Sequence, residues 1–446
     1  MHTPVTSNGR RNGAWARIAV PLLALGATVL RAPPAAAQQD IYAEGFFTHG
    51  VRAGYYLDTN DPIYDPVYVP LQRWSLVPRV TLTATREDNL YMDSRKKEDA
   101  TVIRLVPGAT LIWGRPEGNN LYLDTGVVFL LDDSSDRLDD KPSFMLTLGG
   151  VYQTMKSQVS ARGGYRRLED ADMQVGARIV KEDYTANAGV DHRLSAKTTA
   201  GVIGGVELHR FDSETYVDYD RFYGGVRLYK ELTAMSDLFV QGGLGRDDVD
   251  SGAGGYGDAD FYDAAIGIRG KPTPKTSATG RVGYQWRTFD SADLEDIEHW
   301  TASIGAETNP RGFTTFSTEL LADLRPAIGS AGSTSIDQRW AGSVSRRLFV
   351  ERLRGRASVF VGRVDYRSPA KEPQPQEPVS GLIYDRRRDE YWGYSLGLDW
   401  WVRQNFSLGL SYAYVENNAA QDADEQVREE SSYDSGVWSL RLSWNY

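Results

Sequence analysis

The chain of 446 residues contains no cysteine, so disulfide frameworks, thiol catalysis and cysteine metal sites are excluded. Histidine is scarce: His2 lies in the leader, and His49, His192, His209 and His299 are too scattered for zinc-ligand spacing. No run of about 20 apolar residues follows the N-terminus, which excludes helical membrane spans. Basic residues number 50 against 60 acidic ones, a formal charge of −10. That balance argues against a nucleic-acid partner, which needs a concentrated basic face. A soluble polar protein and a β-barrel are the classes left.

The first 37 residues read as a secretory signal peptide. Arg10, Arg11 and Arg17 supply the positive region, Ile18 to Leu30 an apolar stretch too short to span a bilayer, and Ala35-Ala36-Ala37 the small-residue cleavage site. Cleavage after Ala37 removes four arginines and no acid, taking the charge to −14, and implies Sec-type export. Residues 38–73 are interrupted by Pro62, Pro66 and Pro70, and are expected to form a periplasmic extension or a segment at a barrel mouth.

From Trp74 to Tyr446 the chain repeats one device, nine to thirteen residues of alternation followed by a polar break. Period two means strands with two unlike faces. Trp392, Tyr394, Leu396, Leu398 and Trp400 alternate with Gly393, Ser395, Gly397 and Asp399, and Phe406, Leu408, Leu410, Tyr412 and Tyr414 repeat the pattern. Apolar faces with aromatic ends, strand after strand, are the signature of a membrane barrel. Eighteen such stretches run from 74–86 to 434–446, so the fold expected is all-β: a transmembrane antiparallel up-and-down barrel of about 18 strands, with 16 acceptable. Short breaks such as 193–197, 272–276, 309–312 and 402–405 are expected in the periplasm. Longer acidic ones, at 132–141, 247–260, 290–298, 368–378 and 417–435, are expected outside. At the C-terminus Trp438, Leu440, Leu442, Trp444 and Tyr446 share one apolar face, like the signal by which the barrel-assembly machinery recognises outer-membrane substrates.

The sequence resembles the family of β-barrel porins encoded with exopolysaccharide-biosynthesis operons in Gram-negative bacteria. The likeness rests on Val77-Pro78-Arg79-Val80-Thr81-Leu82 running into Glu87-Asp88-Asn89-Leu90-Tyr91, on Asp99 to Gly108 with Val106-Pro107-Gly108, and on the turn from Arg193 to Thr198, which returns in part at Thr273 to Thr276. The resemblance implies an integral outer-membrane barrel serving export of an exopolysaccharide. Its partners would be outer-membrane lipid, lipopolysaccharide, the barrel-assembly machinery and periplasmic export components. It carries no catalytic residues and no cofactor.

If the apolar parity faces lipid, the opposite parity lines the lumen with Arg104, Arg162, Arg166, Arg221, Tyr223, Arg227, Arg281, Arg287, Glu307, Glu319, Arg339, Arg356, Asp399 and Arg441. Asp124, Asp183, Glu207, Asp263 and Asp323 share that face, as does Tyr229; Tyr223, Arg227 and Tyr229 would suit sugar stacking, although aromatics near a strand end are more often girdle residues. Guanidinium forks there either guide an anionic polymer in short hops or brace the wall against carboxylates. Acidic pairs such as Asp132-Asp133, Asp139-Asp140 and Asp247-Asp248 are assigned to solvated outer loops. Gly393-x-Ser395-x-Gly397 lies inside an alternating strand and lacks the sharp turn of a nucleophile elbow. Gly252 to Gly257 is followed by no helix to receive a phosphate. The function expected is an exopolysaccharide channel. The alternatives are a small-solute porin, a plugged structural or adhesive barrel, and a barrel lipid hydrolase pairing Ser395 with His209 or His299.

Overall fold

The computed structural model describes residues 69–71, 74–89, 97–114, 119–132, 142–172, 177–212, 216–250, 257–291, 294–310, 312–326, 334–348, 352–367, 388–420 and 432–445. Residues 1–37, most of the proline-broken segment, the glycine-rich loop at 252–256 and Tyr446 lie outside the described residues.

The strands are β1 (Val69–Leu71), β2 (Trp74–Glu87), β3 (Ala100–Gly114), β4 (Asn120–Asp132), β5 (Ser143–Gln153), β6 (Ser157–Asp172), β7 (Ala177–Ser195), β8 (Thr198–Phe211), β9 (Tyr219–Thr233) and β10 (Ser236–Val249). They continue with β11 (Ala259–Thr273), β12 (Thr276–Phe289), β13 (Ile297–Thr308), β14 (Thr314–Pro326), β15 (Thr334–Arg347), β16 (Leu353–Arg367), β17 (Arg388–Arg403), β18 (Phe406–Ala420) and β19 (Tyr433–Asn445). From β2 onward each strand pairs antiparallel with the next, and β19 returns to β2 through Val437–Glu87 to Asn445–Arg79. The result is a closed ring of 18 strands, the number the alternation predicts.

That closing ladder stops at Arg79, so one edge of β2 would stand open from Trp74 to Pro78. The short β1 covers part of it, with Val69 opposite Leu76 and Leu71 opposite Trp74. Pro70 therefore sits within a strand that it was expected to interrupt. An edge strand tolerates it because the missing N–H can face away from the ladder.

The register assigns every residue to a face. Val80, Leu82, Leu123, Phe129, Leu146, Val202, Val226, Leu244, Ile266, Leu396, Leu410 and Leu440 point outward and are exposed in the isolated chain, as a lipid-facing band must be. Aromatics bound that band. At the end with short turns Trp74 and Trp113 meet with ring centroids 6.3 Å apart, and Trp400 and Trp444 also face outward. At the other end Tyr284, Trp286 and Trp300 cluster, with centroids 4.9 and 5.1 Å apart, and Trp392, Tyr394, Tyr412, Tyr414 and Trp438 form a second group. There the Tyr284 hydroxyl donates to Glu298 at 2.7 Å and the Tyr184 hydroxyl to Glu182 at 3.0 Å. Each ring stays in the apolar layer while its tip reaches the polar rim. Four members of the C-terminal apolar face, Trp438, Leu440, Leu442 and Trp444, lie on the outer face of the strand that closes the barrel.

The 18 ring strands, of 11 to 19 residues, meet or exceed the roughly 9–11 needed to cross the hydrocarbon. Several run past their expected ends, β7 and β10 among them. The described residues contain no helix long and apolar enough to cross a membrane; this chain crosses with strands. Placing arginine on the lipid face at Leu410, between the two girdles, should cost about 2–4 kcal/mol, whereas Ser411→Arg on the lumen face should leave stability nearly unchanged. Urea unfolding from lipid vesicles checks the pair; equal losses would mean that the faces are assigned wrongly.

Candidate functional site

A ring of 18 strands is wide enough to leave an aqueous channel, so the chemistry of this barrel is that of its inner face. All fourteen lumen candidates read from the sequence lie on inward-facing register positions. What the register adds is their partners.

Toward the short-turn end, Asp399 of β17 accepts from Arg356 of β16 and from Arg441 of β19. The second contact reaches over β18, where Gly409 leaves the space: a Cβ there would stand 2.9 Å from Asp399 Oδ1. Arg79, absent from the sequence candidates, makes the same move. Its guanidinium crosses β3 above Gly108 and grips Asp124 of β4 with two bonds of 2.6 and 2.9 Å, and Thr110 with a third. Its parity, opposite that of Val80 and Leu82, was the signal that could have found it.

Midway up the wall, Arg227 donates to Gln241, whose amide donates to Asp263, which also accepts from Arg281 at 2.9 Å. Tyr229 is buried beneath the Arg269 guanidinium, which lies 3.7 Å from its ring centroid. This tyrosine is therefore closed to a sugar ring, contrary to the reading of 223, 227 and 229 as a stacking group.

Nearer the outer end, Arg221 of β9 and Arg287 of β12 converge on Asp247 of β10, at 2.8 and 2.6 Å. The sequence pattern places Asp247 in a solvated outer loop. It lies inside β10 and is 0% exposed, with Arg287 at 1%, because the ladder continues to Val249. On the adjoining strands Arg166 pairs with Asp183, which accepts from His209 Nδ1 at 2.7 Å and lies 3.3 Å from Lys181. Arg104 bonds Thr85 at 3.0 Å and lies 3.5 Å from Glu87. Arg339 lies 3.8 Å from Asp337, the acceptor of the Tyr391 hydroxyl.

Three candidates stand apart. Arg162 and Glu307 are exposed on the lumen face without an ion pair among the described residues, and Glu319 is half-buried near Arg339. Ser395 shares a 2.7 Å hydrogen bond with Ser358. His209 on β8 lies nine strands away around a ring of 18, and His299 on β13 lies four strands away, so neither histidine meets this serine. No group of three or more metal-ligating side chains occurs among the described residues.

The family model described as "Putative beta-barrel porin 2" matches residues 61–434. The chain belongs to this porin family. It is a porin-like β-barrel channel of the outer membrane. No curated protein matches its sequence. Among solved structures, OccAB2 of Acinetobacter baumannii is similar at a TM-score of 0.45 and 9% identity, covering 83% of this chain and 98% of that one. OpdL of Pseudomonas aeruginosa gives 0.44 and 11%, with coverages of 84% and 99%. OccK2 (OpdF) of the same organism, in complex with glucuronate, gives 0.44 and 10%, with 84% and 98%.

Removing one member of a buried ion group strands the others in low dielectric, at about 3–5 kcal/mol. Asp247→Ala should therefore destabilise this porin by that amount, and the double variant Asp247→Leu with Arg287→Met should recover much of it. Midpoints of heat modification on gels report both; a silent Asp247→Ala would mean that the group is solvated.

Proposed function

We propose that this porin is a passage by which an exopolysaccharide crosses the outer membrane. The observation that carries the reading is the lumen wall itself, where guanidinium and carboxylate groups recur from Arg356, Asp399 and Arg441 near one end to Arg221, Asp247 and Arg287 near the other. Such a wall offers a hydrated polymer successive polar contacts in place of bulk water, with no deep trap of one sign. Polymer synthesis or concentration in the periplasm drives the movement, since the barrel itself supplies only solvation. Periplasmic export components would deliver the chain, lipopolysaccharide would surround the outer rim, and the aromatic C-terminal strand would serve recognition by the barrel-assembly machinery during insertion.

A second reading, a small-solute porin, draws support from the same ladders. Most of these arginines already have carboxylate or amide partners within the wall, and a wall so saturated places no demand on polymer. Planar-bilayer conductance of the purified barrel, titrated with acidic and neutral polysaccharides from the periplasmic side, separates the two. Reversible block by polymer is expected. An open channel indifferent to polymer would favour the small-solute reading, and silence that persists after deletion of residues 38–73 would overturn both in favour of a plugged barrel.

A further inference from the structure

One row of the wall differs from the rest. Tyr122, Gly149, Arg162, Asn187, Gly205 and Tyr223 stand directly opposite one another on successive strands β4 to β9, and their parity turns all six to the lumen. A Cβ on Gly149 would stand 2.6 Å from the Tyr122 hydroxyl, and one on Gly205 would stand 2.5 Å from that of Tyr223. The hydroxyl end of each ring therefore lies over the glycine beside it and leans toward the middle of the row. The two hydroxyls stand over β5 and β8, three strand spacings or about 14 Å apart. Arg162 and Asn187 lie between them.

The centre of this row is unsatisfied. Arg162 is exposed and Asn187 partly exposed, and neither side chain makes a hydrogen bond or ion pair among the described residues. Their inward neighbours along the strands are Ser160, Gly164, Thr185 and Gly189, which are small and uncharged. The nearest carboxylate, Glu207 of β8, stands opposite Thr185 with its Oε2 3.8 Å from His209 Nε2, and Asp183 and Asp191 each lie four residues from Asn187, about 13 Å along the strand. Asp183 is already shared by Arg166, Lys181 and His209, and Asp124 is held by Arg79. Most arginines elsewhere on the wall have carboxylate or amide partners. Here a guanidinium fork is left open, with an amide beside it and a tyrosine ring at each side.

We propose that the row is a binding subsite for a carboxylated sugar unit, a hexuronate within a polysaccharide. Arg162 grips the carboxylate through its fork, Asn187 exchanges hydrogen bonds with ring hydroxyls, and Tyr122 and Tyr223 take the C–H faces of the flanking sugars. Strands of such barrels tilt by roughly 35–45°, so a row perpendicular to them climbs the wall obliquely, along the route of a passing chain. The inference rests on the polysaccharide reading for the identity of the ligand, and on the row alone for its charge and shape.

The test measures block of the full barrel in planar bilayers by free galacturonate, by oligogalacturonate and by a neutral malto-oligosaccharide of equal length. Wild type should be blocked by both uronates well below the concentration at which the neutral sugar acts. Arg162→Gln should weaken uronate block about 10- to 100-fold, the range set by one charge-assisted hydrogen bond, with neutral block unchanged. Tyr122→Phe should keep the block and Tyr122→Ala lose it, all variants retaining heat modifiability as the check on folding. Uronate block equal in wild type and Arg162→Gln overturns the subsite and leaves the passage standing. Arg162-dependent block by the monomer alone keeps the subsite and overturns the polymer reading. Absence of block by either uronate in a conducting channel overturns the subsite.

Discussion

Everything in this molecule depends on one constraint: in hydrocarbon, a backbone N–H or C=O without a partner costs several kcal/mol. Strands satisfy that constraint only when the sheet has no free edge, so the antiparallel ladder must return from β19 to β2. Closure in turn fixes the register of all 18 strands, because a slip of one residue anywhere would turn a lipid-facing row inward. The outward rows of leucine, valine and aromatic residues and the inward rows of arginine and aspartate are thus two results of a single hydrogen-bond pattern.

The inner face has its own packing rule. Curvature crowds inward side chains, and long ones fit by lying along the wall over a neighbour that lacks a Cβ. Arg79 crosses Gly108, Asp399 and Arg441 meet above Gly409, and Asp263 lies over Gly243. Glycine here is not a concession of weak strand propensity. It lets an ion pair join strands two apart, so that charges brace the ring as well as wet it. The buried group of Arg221, Asp247 and Arg287 extends this bracing across β9, β10 and β12. Its worth lies in mutual compensation, since each of the three would be costly alone.

How much of this was legible in the sequence follows from the ranges involved. Strand number and face come from period two within single segments, and the alternation of 392–400 or 406–414 carries them without tertiary information. Partners come from register between strands, which no single segment contains. Hence Arg221 and Arg287 could be placed on the lumen face, while Asp247, only 26 residues from Arg221 in the chain, was misread as loop because its neighbours Asp248 and Asp250 look solvated. For the same reason the sequence leaves a sugar-contact role open for Arg227 and Tyr229, which the register shows to be occupied by Gln241 and Arg269. Ser395 with His209 or His299 stays open from sequence alone as the least favoured alternative, and the ring sets Ser395 and His209 half a circumference apart. The contrast between Arg162 and its paired counterparts was invisible for the same cause.

Saturated charge is compatible with transport, and the reason is kinetic. A permeating anion that meets an isolated guanidinium in a narrow lumen gains a strong contact and must lose it again before moving on. Where the guanidinium already holds an aspartate, the incoming group competes with that partner and the well becomes shallow. Conduction requires binding strong enough to enter and weak enough to leave, and a wall of paired arginines meets the second half of that requirement along most of its length. A single unpaired position such as Arg162 then supplies selectivity at one point in the path. Were the other arginines equally free, a polyanion bound at many points at once would be held by the product of many weak equilibria and would not move. The distribution seen in this barrel, many charges satisfied by the wall and few left open to the lumen, suits a channel whose cargo must be recognised once and then released.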